Sequence, residues 1–147
     1  MTKIASIVRR TRPAPPPEML DDMAPIAFVP DQQGLGLWAR ETFIEEGGPL
    51  HNERHRHLED ATIGWLWTNA EQTNRDRAVA GECRLIGPTQ RKWSSQMGHF
   101  QLMQWFGYVP DFLVTISAPY AASADDWSFC ALIEHELCHA AQDVDQF

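Results

Sequence analysis

The stretch DDWSFCALIEHELCHAAQDV, Asp125 to Val144, governs how the rest of the chain is read. At about 100° per residue, Phe129, Ile133, Leu137, Ala140 and Val144 share one stripe, which predicts an amphipathic helix from about Asp125 to Val144. Ser123, with Asp126 three residues on, reads as a capping box, and Asp125 and Asp126 suit the positive end of that helix. Within that helix His135, Glu136, Leu137, Cys138 and His139 make an instance of His-Glu-x-x-His, with His135, Glu136 and His139 away from the apolar stripe. Residues four apart stack one turn above each other, so two imidazoles can address one ion from the same face. The pattern therefore predicts a Zn2+ centre with His135 and His139 as metal ligands, an open position for water, and Glu136 as catalytic general base.

A zinc site of the catalytic type takes a third protein ligand. Asp145 stands six residues past His139, the metzincin-like position, but Gln142 occupies the place of the glycine turn those patterns use. Asp143, one turn beyond His139, reads as a hydrogen-bond partner of an imidazole. The loop His51-Asn52-Glu53-Arg54-His55-Arg56-His57 supplies three further candidates, His51, His55 and His57, against the plain expectation of a solvated polar loop. His99 is expected to be more exposed still, and Cys138 to be a bystander thiol.

Upstream, Leu35, Trp38, Ala39, Thr42 and Phe43 fall on one helical face, and Gly47-Gly48-Pro49 stops that helix. Ala61 to Thr68 alternates, with Ile63, Trp65 and Trp67 on one side, and Val79 to Ile86 reads as a second strand. The polar turn between them predicts an antiparallel hairpin. Thr89 reads as the N-cap of a helix reaching Phe106, with Trp93, Met97, Phe100 and Gln104 at i, i+4, i+7 and i+11 on one face. Asp111 to Ser117 is a third strand, and Trp65 and Trp67 are read as core. Residues 1–33, with Pro13-Ala14-Pro15-Pro16-Pro17, read as a flexible proline-rich arm, leaving 34–147 as the folded domain.

The balance of 12 Lys and Arg against 20 Asp and Glu in 147 residues, net -8, lacks the footprint of a nucleic-acid or anionic-membrane surface. Lys3, Arg9, Arg10 and Arg12 concentrate the positive charge at the start. Three widely spaced cysteines do not make a disulfide framework and suit a reducing compartment. Arg9 and Arg10 cut the apolar run Ile4 to Val8 short of a signal-peptide core, so an unexported, cytoplasmic protein is expected.

Two segments, PLHNERHRHLEDATIGWLW and VPDFLVTISAPYAASADDWSFCALIEHELCHAAQDVDQF, with the helix before the first, resemble a family of phage metallopeptidases. The resemblance runs from about Gly36 to the C-terminus. It implies a gluzincin-type zinc peptidase with a zincin-like α+β fold, helices around a short, mainly antiparallel β-sheet, acting in the host bacterial cytoplasm. Carried over by motif position, His135 and His139 are zinc ligands and Glu136 the catalytic base. The family pattern goes on beyond Phe147, into a segment expected to bring the third ligand.

The leading expectation is thus a zinc metallopeptidase acting on the amide bonds of a peptide or protein. A competing expectation is a catalytically inactive protein of the same fold, binding a phage or host protein through its acidic surface or its N-terminal arm. A third is a structural zinc site completed by His51, His55 or His57.

Overall fold

Two apolar segments rich in β-branched and aromatic residues, Ile63–Thr68 and Phe112–Ser117, take the middle of the sheet. The computed structural model describes residues 12–145, with side chains as far as Ala141. A single 3-10 turn, Pro17–Leu20, precedes strand β1 (Phe28–Pro30) and helix α1 (Leu35–Ala39), which runs on into a π-helical turn, Arg40–Ile44. A 3-10 helix (Glu53–Asp60) leads to β2 (Ile63–Thr68), the short β3 (Thr73–Asn74) and β4 (Arg77–Ala78), and β5 (Gly81–Leu85). Helix α2 (Trp93–Phe106), strand β6 (Phe112–Ser117), and helices α3 (Ala118–Ser123) and α4 (Asp126–Asp145) complete the order.

The main sheet has the order β1-β2-β6-β5. Its outer pairs, β1 with β2 and β5 with β6, are antiparallel, and the inner pair β2 with β6 is parallel. The architecture is α+β with a short, mainly antiparallel sheet and packed helices, as expected. Parallel register sets Trp65 opposite Val114 and Trp67 opposite Ile116. These residues face a core built with Leu35, Trp38, Phe43, Phe129, Ile133 and Leu137 from α1, its π-turn and α4. Leu66 and Leu113 point to the other face, where Leu102 of α2 covers them. A three-layer sandwich results, and both faces of the inner strands are buried. Helix α2 presses close: a side chain at Gly64 would come within 2.8 Å of the Phe106 ring.

The hairpin expected between Ala61–Thr68 and Val79–Ile86 does not form. Each strand pairs instead with β6, which lies between them. Five of the six β2 residues are buried, whereas β5 alternates between half-buried and exposed and so suits an edge. Central places go to strands that are apolar on both faces. The intervening residues make their own two-residue ladder, with Arg75 and Asp76 at φ 52° and 64°, the paired left-handed conformation of a tight hairpin turn.

Residues 12–33 depart from the flexible arm expected over 1–33; Lys3, Arg9 and Arg10 lie outside the described residues. Met19 is 4% exposed and belongs to the main core. Arg12 donates to the Ala121 carbonyl (2.7 Å) and to Asp126 (2.9 Å), with its guanidinium 4.2 Å from the Phe129 ring centroid. Asp31 accepts from the Trp67 indole N–H (2.8 Å) and from the Leu35 N–H (2.7 Å), so it ties the start of α1 and the end of β1 to β2. Prolines restrict this segment to extended paths, and an extended path is what an edge strand uses.

Three finer expectations also change. The anticipated packing face of α2 is exposed, with Trp93 at 88%, Met97 at 69% and Phe100 at 64%. Apolar residues surround this helix almost completely, so periodicity cannot select the buried side, which is that of Leu102. Helix α2 starts at Trp93 after Lys92, not at Thr89. Ser123 ends α3 and donates to the Tyr120 carbonyl, while Asp125 caps α4 by accepting from the Ser128 N–H at 2.7 Å. By contrast Leu35, Trp38, Ala39, Thr42 and Phe43 are all buried, as are Trp65 and Trp67. Among the described residues, no helix is long and apolar enough to cross a membrane.

Candidate metal centre

Helix α4 owes its place to the apolar stripe. Phe129, Ile133, Leu137 and Ala140 are fully buried against the sheet. Val144 lies outside the described side chains. His135 and His139 stand on the exposed flank, while Glu136 is 3% exposed at the margin between helix and sheet. The two imidazoles are edge to face, with ring centroids 4.5 Å apart and Nε2 to Nε2 3.0 Å. Two nitrogens bound to one tetrahedral zinc at about 2.0–2.1 Å would stand about 3.3 Å apart, so this pair needs little adjustment to share an ion. The candidate ligand atoms of His135, Glu136 and His139 all lie within 4.8 Å of one another.

Glu136 owes its surroundings to β5. A Cβ at Gly81 would lie 3.1 Å from a Glu136 carboxylate oxygen, 3.0 Å from Leu132 and 3.3 Å from Ile116. The absence of a side chain at Gly81 lets this carboxylate sit against the strand without displacing its neighbours. Burial raises the Glu136 pKa, the nearby His135 and His139 pull it back in part, and Glu82 pushes it up further.

Residues 37–147 match the model of a family described as "Putative phage metallopeptidase". The chain belongs to this family. Neither the curated proteins nor the solved structures contain a match. A phage metallopeptidase is described by a metal and by peptide hydrolysis, and the match takes in every residue of the His135–Glu136–His139 group.

The phage metallopeptidase match also covers the histidine-rich segment, which is not the solvated loop expected. It forms the 3-10 helix Glu53–Asp60, capped by the Asn52 side chain accepting from the Arg54 N–H, and it buries His55 completely. His55 joins Glu134 and Cys138 in a second group whose candidate ligand atoms lie within 4.8 Å of one another. Its Nε2 is 3.1 Å from a Glu134 carboxylate oxygen, yet neither ring nitrogen makes a well-directed hydrogen bond. The Asn52 amide donates to Glu134 at 2.7 Å, and the Cys138 thiol approaches it at 3.8 Å. Burial would raise the Glu134 pKa, but contacts from His55 and Asn52 outweigh it and hold the carboxyl low.

The other candidates lie elsewhere. His51 pairs with Glu53 at 3.3 Å, which raises its pKa, and His57 is exposed. Among the described side chains, none of the three loop histidines joins His135 and His139. Asp143 and Asp145 lie outside the described side chains. His99 is half-buried rather than exposed, its ring nitrogens each 3.0 Å from a carbonyl, of Ser95 and of Gly87. Burial pushes the Cys130 thiol up to about 11, which makes it a core residue rather than a reactive one. Sequence reasoning missed Glu134 and Asn52 and set Cys138 aside. The available signal was Glu134 and Cys138 at the same four-residue spacing as His135 and His139.

Proposed function

We propose that the chain is a zinc-dependent metallopeptidase that hydrolyses amide bonds at the His135–Glu136–His139 group. The observation that carries the reading is the convergence of the two Nε2 atoms, 3.0 Å apart, beside a buried carboxylate on one helix. Bound there, zinc would polarise the scissile carbonyl and bring water to nucleophilic strength near neutral pH.

The chain's own groups do the rest. His135 and His139 hold the site on the solvent flank of α4, where substrate can reach it. The Glu136 carboxylate takes a proton from the attacking water and returns it to the leaving nitrogen, so that water and amide become a carboxylic acid and an amine. Its raised pKa brings proton acceptance and release closer to neutral pH, which favours a group that must do both. Strand β5 ends the sheet order, and Gly81 on it stands against Glu136. An extended peptide adding to that edge would run past the carboxylate with its backbone held by strand hydrogen bonds.

Glu136→Gln should lower cleavage of a quenched-fluorescent peptide library by about 100-fold to 10,000-fold while leaving metal content unchanged. His139→Ala should lose the metal itself. Cleavage by Glu136→Gln at the wild-type rate would overturn the assignment of the base.

A further inference from the structure

We propose that His55, Glu134 and Cys138 form a second metal site, which takes a zinc-like divalent ion and ties the Glu53–Asp60 helix to α4. The proposal does not rest on the peptidase reading. Glu134 and Cys138 are one turn apart on α4, and His55 meets them from an element far away in sequence. The two pairs on α4, 134 with 138 and 135 with 139, differ by one residue, so they face directions about 100° apart around the helix. One ion therefore does not serve both.

The buried imidazole separates this group from an ordinary polar cluster. His55 is 0% exposed, and neither of its ring nitrogens has a directed hydrogen-bond partner, although one of them points into the cluster at 3.1 Å from Glu134. Nδ1 has no partner and Nε2 has only the Glu134 carboxylate, at poor hydrogen-bond geometry, so the buried ring carries a desolvation cost that a metal bond to Nε2 would offset. Glu134 is already oriented, because Asn52 donates to one carboxylate oxygen and leaves the other toward His55. A side chain fixed in this way by an outer hydrogen bond is the usual state of a carboxylate ligand.

The donor set selects the ion. One imidazole nitrogen, one carboxylate oxygen and one sulfur suit zinc or cobalt and do not suit magnesium or calcium, which prefer oxygen alone. Glu134 and Cys138 are half-buried, so solvent reaches the cluster from their side.

The test uses the full chain and cobalt(II). In the double variant His135→Ala/His139→Ala, one equivalent of cobalt should bind and produce a sulfur-to-cobalt charge-transfer band. Cys138→Ser in that background should abolish the band, with Cys83 and Cys130 still present. The wild-type chain should bind one equivalent more than the double variant, and Cys138→Ser in the wild type should remove the band while keeping that other equivalent. This second comparison keeps the test decisive should the double variant fail to fold. Absence of the band from the wild type, or its persistence in Cys138→Ser, would overturn the second site. Loss of the wild-type surplus alone would instead count against the His135 and His139 centre.

Discussion

At the residue scale, chemistry here depends on what surrounds a side chain more than on its identity. Glu134 and Glu136 sit two positions apart on α4, and their pKa values move in opposite directions. Burial dominates at Glu136, whereas contacts from His55 and Asn52 prevail at Glu134. Asp125 shows the same dependence at the helix start. The Ser128 N–H holds its carboxyl below the ordinary 3.8, because the ionised form accepts that bond best. A depressed folded-state value contributes stability that is present above 3.8 and lost as pH falls through the folded value. Asp125→Ala should therefore be less stable than wild type in urea unfolding at pH 7, and the gap should narrow steadily once the pH drops below 3.8. A gap independent of pH would show that the cap does not work through its charge.

At the scale of elements, the candidate site is a joint between α4 and β5. Three atoms, from Leu132, Glu136 and Ile116, stand 3.0–3.3 Å from where a Cβ at Gly81 would be. Gly81→Ala should thus force these neighbours apart, with a cost of about 1–3 kcal/mol typical of overpacking. A side chain at Gly87 would meet nothing within 4 Å, so Gly87→Ala serves as the control. Equal midpoints for the two variants in denaturant unfolding would contradict the close joint. Elements were readable from sequence where one face is apolar and the other is not. Helix α4 and α1 meet that condition, and the members of their expected stripes among the described side chains are buried. Helix α2 does not, and its buried side could be chosen only by the sheet face that receives Leu102.

At the scale of the whole molecule, residues 12–33 belong to the fold. Their removal would take away Met19 from the core, β1 from the sheet, and the Asp31 carboxylate that pairs with Trp67 and Leu35. Deleting residues 1–33 should lower Tm sharply. Met19→Ala, which only empties a buried position, should cost about 2–5 kcal/mol. Unchanged Tm in both would return the segment to the status of a free arm. Strand order is likewise a whole-molecule property. β2 and β5 follow each other along the chain but are separated in space by β6, because a strand with both faces apolar gains most in the centre.

What the sequence by itself determined is the local geometry. A four-residue spacing on a helix sets His135 and His139 on one flank, with Glu136 beside them, whatever the rest of the chain does. The same local logic marked the apolar stripe and three of the strands, while the α+β class was what the family resemblance implied. Tertiary structure alone decided which distant groups meet those residues. Gly81 came to lie against Glu136 because β6 placed β5 at the sheet edge next to α4. His55 reached Glu134 and Cys138 because the Glu53–Asp60 helix packs on α4, with Leu58 buried in the core. Spacing along a chain specifies directions within one element, and only packing specifies what waits in each direction.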